Sequence, residues 1–161
     1  MSDSLGTLTD PRATTDHGDH WSAPRNISTA GQCALLRWVK EFAPRMVDVD
    51  VDRSTTASAN DPTANWFQYA AQNRAVLGGG SWSTARVSSH PVRYGTVCLS
   101  GIGCSTAGDD GRILLDFTSI DADSFGNAHI AYANSGPEGY ASDPSMTYTD
   151  YAKQTTGGRI H

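Results

Sequence analysis

Met46-Val-Asp-Val-Asp-Val51 alternates between apolar and acidic side chains. Trp66-Phe-Gln-Tyr-Ala70, Ile113-Leu-Leu-Asp-Phe-Thr-Ser-Ile120, Asn127-Ala-His-Ile-Ala-Tyr132 and Met146-Thr-Tyr-Thr-Asp-Tyr151 carry a similar rhythm. Successive side chains leave a strand on opposite faces, so a period of two marks strands with one buried face. β-branched and aromatic residues fill these runs, and clusters of Gly, Pro, Asn and Asp separate them. Helical periodicity is almost absent. Cys33 to Phe42 sets Leu35, Trp38, Val39 and Phe42 on one side of a short helix, yet the same uncapped stretch also fits a buried strand and a turn. The predicted class is all-β.

The chain has 161 residues, with 12 Lys+Arg against 17 Asp+Glu, a net charge of −5 and 38% hydrophobic residues. That suits one domain with a modest core. Lys40 and Lys153 are the only lysines, so the chain offers no electrostatic footprint for a phosphate backbone and nucleic acid is not an expected partner. No run approaches the roughly 18 apolar residues of a membrane helix, and no membrane partner is expected. Met1 to Thr15 lacks a basic start followed by an apolar stretch, so no export signal is read there.

Cys98 and Cys104 enclose Leu-Ser-Gly-Ile-Gly, a short loop that a disulfide can close; free structural thiols are the first alternative, and a metal or catalytic pair the second. An oxidised pair implies export, which conflicts with the missing signal unless the true N-terminus lies upstream of Met1. Asp48, Asp50 and Asp52 share one face of a strand, where mutual repulsion predicts solvent as their neighbour, with a cation as the alternative. Asp121-Ala-Asp123-Ser-Phe-Gly126-Asn127 partly matches a calcium loop but lacks the later Glu, and a hairpin turn is the favoured reading. His17, His20, His90, His129 and His161 show no metal-ligand spacing, so neither a metal site nor a cofactor is expected.

Trp21-Ser-Ala-Pro-Arg25-Asn-Ile-Ser28 and Trp82-Ser-Thr-Ala-Arg86-Val-Ser-Ser89 share Trp-Ser-x-x-Arg-x-x-Ser, a weak repeat at about the length of one propeller blade with enlarged loops. Ahead of the first copy stands Thr14-Thr-Asp16-His-Gly18-Asp-His20-Trp21. It resembles the Asp-box, Ser/Thr-x-Asp-x-Gly-x-Thr-Trp, with His20 in place of the second Thr. Its physics needs no family: Asp16 can accept N–H bonds inside the turn, Gly18 permits positive φ, and Trp21 is expected to pack beneath the hairpin. Cys33-Ala-Leu-Leu-Arg-Trp38, Asp61-Pro-Thr-Ala-Asn-Trp66-Phe-Gln-Tyr, His90-Pro-Val-Arg-Tyr-Gly-Thr-Val-Cys98 and Leu115-Asp-Phe117 extend the likeness. Together these segments resemble the later blades of secreted sialidase-like proteins with Asp-box repeats.

That resemblance implies a partial β-propeller of four-stranded antiparallel meanders, an arc of a six-bladed parent. Residues 5–28 would supply the last two strands of one blade, and 33–89 one complete blade with strands near 33–39, 46–52, 66–72 and 82–88. Residues 90–111 would form an inter-blade loop, and 112–154 the first three strands of the next blade. So few strands do not close a ring, so upstream blades or a second chain would have to complete it. It further implies a carbohydrate ligand, a terminal sialic acid or related sugar, cleaved by a Tyr nucleophile with a Glu base and held by an arginine clamp. A non-catalytic propeller used for binding or as a scaffold is the alternative. In a propeller, ligands bind at the end carrying the loops Arg53–Asn65, His90–Gly111 and Asn134–Ser145. Carried onto this sequence, the candidates are Tyr94 with Glu41 as the catalytic pair and Arg37, Arg93 and His90 as substrate contacts. Glu138, the only other glutamate, is read as part of an ordinary turn. The Arg-Ile-Pro segment that usually supplies the first clamp arginine is missing, because Arg159-Ile160 is followed by His161.

Overall fold

The alternating segments fold as strands where they are described; of Ile113–Ile120 only residues 118–120 are. A computed structural model describes residues 16–21, 23, 31–43, 46–73, 82–98, 118–135 and 147–157; of residues 36, 37, 42, 43 and 46 it describes the backbone only. Among the described residues eight strands run in chain order: β1 Ala34–Ala43, β2 Met46–Ser54, β3 Asn65–Asn73, β4 Trp82–Arg86, β5 Arg93–Tyr94, β6 Ser119–Ala122, β7 Ala128–Asn134 and β8 Tyr148–Lys153. The described residues contain no helix, and Cys33 to Phe42 belongs to the strand alternative.

The first sheet is the antiparallel meander β1-β2-β3-β4, and the second is the antiparallel meander β6-β7-β8. β4 pairs Tyr69–Asn73 of β3, while the short β5 takes Asn65 and Trp66 farther along the same edge. β6 packs against β1 and β2, so the meanders lie face to face.

Among the described residues two clusters form the core. Between the sheets lie Cys33, Trp66, Val92, Val97, Ile120, Ile130 and Tyr132. On the opposite face of the first sheet, Val49 and Val51 pack with Ala34 and Ala71, flanked by Tyr69 and Trp82.

Asp48, Asp50 and Asp52 are not solvated. All three are almost wholly buried on the inter-sheet face, where Asp48 opposes Gln72 and Asp52 opposes Gln68. Alternation on β2 therefore separates an apolar covered face from a polar covered face. The reason is the second sheet, which roofs a surface that an isolated meander would leave wet. Asp50 also serves the backbone. β1 has a register shift between Leu35 and Trp38, and there the Trp38 N–H donates to Asp50 Oδ1 at 2.8 Å.

Candidate functional site

The loop end of the first sheet, where β2 hands over to β3 and β5 crosses, is a built surface. Cys33 N–H donates to Thr56 O at 2.7 Å, and Gly95 N–H to Ala64 O at 2.7 Å. Val97 N–H donates to Ala59 O at 2.8 Å. Asp61 Oδ1 accepts the Thr63 N–H at 2.8 Å and its hydroxyl at 2.7 Å, an Asx turn that holds the Asp61 carboxyl below its ordinary range. Trp66 is fully buried beneath and donates from Nε1 to Gly95 O at 2.9 Å. Ser135, just past β7, donates its N–H to Val92 O at 2.8 Å, tying this strap to the second sheet.

Tyr94 and His90 are exposed on that surface. Arg93 is only 8% exposed and donates from Nη2 to Thr96 O at 3.1 Å, so its guanidinium serves the loop rather than an open clamp. Arg53 is buried, with its guanidinium carbon 4.8 Å from the centre of the Tyr69 ring. Arg37 lies in β1 within the stretch where the register shifts.

Glu41 is at the other end of the sheet. Tyr94 pairs with Asn65, whereas Glu41 pairs with Val47, which in turn pairs with Asn73. Eight steps of β3 at roughly 3.3 Å each separate the two levels by about 26 Å. The expected nucleophile and base are therefore not brought together, because β1 carries Glu41 away from the loop end towards the β1–β2 turn. Glu138 and most of the Asn134–Ser145 loop lie outside the described residues.

In the Asp-box segment, Asp16 Oδ1 accepts the His20 N–H at 3.0 Å and Oδ2 lies 2.5 Å from His20 Nδ1. Gly18 has φ +106°, and a Cβ there would sit 3.8 Å from the Trp21 ring. Trp21 itself is 55% exposed, not packed away as the motif leads one to expect. Thr14 and the strands expected over 5–28 lie outside the described residues.

The turn at Asp123 closes the β6–β7 hairpin. Asp123 Oδ1 accepts the Phe125 and Asn127 N–H groups at 2.9 Å each, and Gly126 has φ 75°. The Asn127 amide and Lys153 Nζ, both at 2.9 Å, approach Oδ2. These donors, Asn127 foremost, hold the Asp123 carboxyl well below the usual carboxylate range and occupy the lone pairs a cation would need. Among the described residues no three His, Cys, Asp or Glu side chains are placed to share a metal ion.

Cys33 is a buried thiol, and burial pushes its pKa up, which keeps it protonated and unreactive. Cys98 is described, whereas Cys104, its expected partner, lies outside the described residues.

Sequence reading missed two features. One is a cleft of about 690 Å³ between β3/β4 and β7/β8, with Ala70, Ala128, Ile130 and Ala152 on its floor and Arg86 and Lys153 on its walls. Only the packing of distant strands creates it, so no local signal announced it. The other is the buried polar row, in which Asp50 Oδ2, Asp52 Oδ1 and both terminal atoms of the Gln68 amide have no hydrogen-bond partner. Its regular Asp spacing was visible, but its roof was not.

Comparison with protein-family models, with curated proteins and with solved structures finds no match to this chain.

Proposed function

We propose that the chain is an arc of a secreted, sialidase-like Asp-box β-propeller. On this reading it contributes scaffold and loop surface to recognition of a terminal sugar and does not hydrolyse that sugar unaided. The observation that carries this reading is the arrangement of two antiparallel meanders in strict sequence order, with β6 packed on β1 and β2. Successive blades of a propeller meet in the same way, through strands at corresponding positions. The binding reading takes precedence over hydrolysis because Tyr94 and Glu41 stand at opposite ends of the first sheet and Arg93 is spent on Thr96. His90 and Tyr94, exposed on a loop surface fixed by backbone bonds, are the contacts offered to a sugar. Retaining hydrolysis through a Tyr-linked intermediate, the chemistry of such propellers, would need a base and a clamp from upstream blades or a second chain.

A fluorogenic sialoside, offered to this chain and to a polypeptide extended upstream, tests the division of labour. No turnover by this chain is expected, together with saturation transfer from its protons to sialyllactose that Tyr94→Ala removes. Turnover by the 161-residue chain alone would overturn the reading, as would the absence of any saturation transfer. The same reading places a disulfide between Cys98 and Cys104. Peptide mapping without reductant should show the fragment holding both lighter by two hydrogen atoms, with Cys33 alkylated only after unfolding.

A further inference from the structure

The outer face of the second sheet carries a three-residue relay. His129 on β7 stands directly opposite Lys153 on β8, which makes Tyr151 its diagonal neighbour on the same face, within reach of long side chains. The Tyr151 hydroxyl is hydrogen-bonded to His129 Nδ1, and the two rings are 5.7 Å apart between centres. On the far side of the imidazole, Nε2 lies 3.3 Å from Asp123 Oδ2.

The carboxylate fixes the proton positions. Asp123 can only accept, so in the neutral imidazole Nε2 carries the hydrogen and Nδ1 presents a lone pair to the Tyr151 O–H. Nucleophile, base and orienting carboxylate thus stand in hydrogen-bonded sequence, the arrangement that activates hydroxyl nucleophiles. Asp123 is itself anchored by the Phe125 and Asn127 N–H groups, so it orients the ring from a fixed turn. Tyr151 is 62% exposed, which leaves its oxygen open to a reagent.

We propose that Tyr151 is a nucleophilic tyrosine that takes an acyl group from activated esters, with His129 as its general base and Asp123 as a positioning residue. The phenol oxygen forms a bond to the acyl carbon while its proton passes to His129 Nδ1. The bond from that carbon to the leaving oxygen breaks, and its electron pair departs with the leaving group. The imidazolium is held by Asp123 until its proton passes to the leaving group or to water. The charged groups facing His129 are Asp121 of β6, paired with it in register, together with Asp123 and Lys153; Lys40 lies 3.7 Å from Asp121. This site is independent of any sugar-binding role.

The test is site-resolved acetylation of the full chain by p-nitrophenyl acetate, read by peptide mass spectrometry across a pH series. Tyr94, 38% exposed, serves as the internal reference. Tyr151 should be acetylated at least about a hundredfold faster than Tyr94, the lower end of general-base assistance. Its rate should follow the availability of a general base and not the ionisation of the phenol itself. His129→Gln should abolish that advantage. Asp123→Asn keeps an oxygen for the turn but removes the charge facing the imidazolium, so it should lower the Tyr151 rate towards that of Tyr94. Equal rates at Tyr151 and Tyr94, a phenol-like profile in the unmodified chain, or an advantage that survives His129→Gln would each overturn the proposal.

Discussion

Asp52 is a carboxyl with nowhere to put its charge. Burial drives its pKa well above the ordinary carboxylate value, and neighbouring Asp50 pushes it further; Asp50 is itself raised by burial, against hydrogen bonds from Thr118 and the Trp38 N–H. An acid whose folded pKa exceeds its unfolded one binds more protons when folded. Its contribution therefore favours folding near pH 4 and is lost as pH rises towards the raised value. Asp52→Asn should flatten that decline and raise stability at neutral pH by roughly 1–3 kcal/mol, measured by urea unfolding at pH 4.5 and pH 7.5. An unchanged slope would place the protons elsewhere. Trp66 is the converse case, a fully buried ring with its one polar atom satisfied by Gly95. Trp66→Ala should cost about 3–5 kcal/mol, whereas Trp66→Phe should cost less and mainly free the strap from Gly95 to Val97, seen as faster amide exchange there. The sequence disclosed that the three aspartates share a face, since i, i+2 spacing dictates it. Whether that face is wet depends on a second sheet about seventy positions downstream in the chain, which the alternation does not encode.

Local spacing was enough for the strands, and turn chemistry was enough for the β6–β7 hairpin. Asp123 followed by Gly126 and Asn127 folds as an Asx-type turn because Gly126 must sit at φ 75°. Gly126→Ala should therefore cost about 1–2 kcal/mol, visible as a lower Tm and as faster exchange of the Asn127 amide. Normal stability in that variant would mean that the turn relaxes without strain. The segment from Cys33 to Phe42 was ambiguous between helix and strand for a physical reason: it contains a register shift, and a bulge spoils strict alternation. Pairing with β2 settles it, and pairing is a non-local fact. The same limit governs the separation of Tyr94 from Glu41. Sequence places each near a strand end, but only the register carried across β2 and β3 shows that the ends are opposite.

Across the whole molecule, the two meanders meet through an interface that is apolar around Ile120, Ile130 and Tyr132 and polar along the aspartate row. Gln72 reaches Asp48 at 3.2 Å and Gln154 at 3.5 Å, joining the sheets through side chains. Among the described residues neither β4 nor β8 pairs with a further strand along its outer edge. Open edges template pairing with other chains. Thr149→Lys on β8 should lower concentration-dependent light scattering while leaving the far-ultraviolet circular dichroism spectrum unchanged. Scattering that is indifferent to the added charge would locate self-association elsewhere.

Within each meander the longest strands join partners adjacent in the chain, from β1 through β4 and again from β6 through β8. Such wiring suits birth at the ribosome. Each hairpin can zip as soon as its second half emerges, and the earlier meander can finish before the later one is translated. Asp50 and Asp52 would then spend that interval bathed in water, and burial would push their carboxyl pKa values up only when the newcomer docks. Docking would thus favour an uptake of protons, a step that acidic surroundings should hasten.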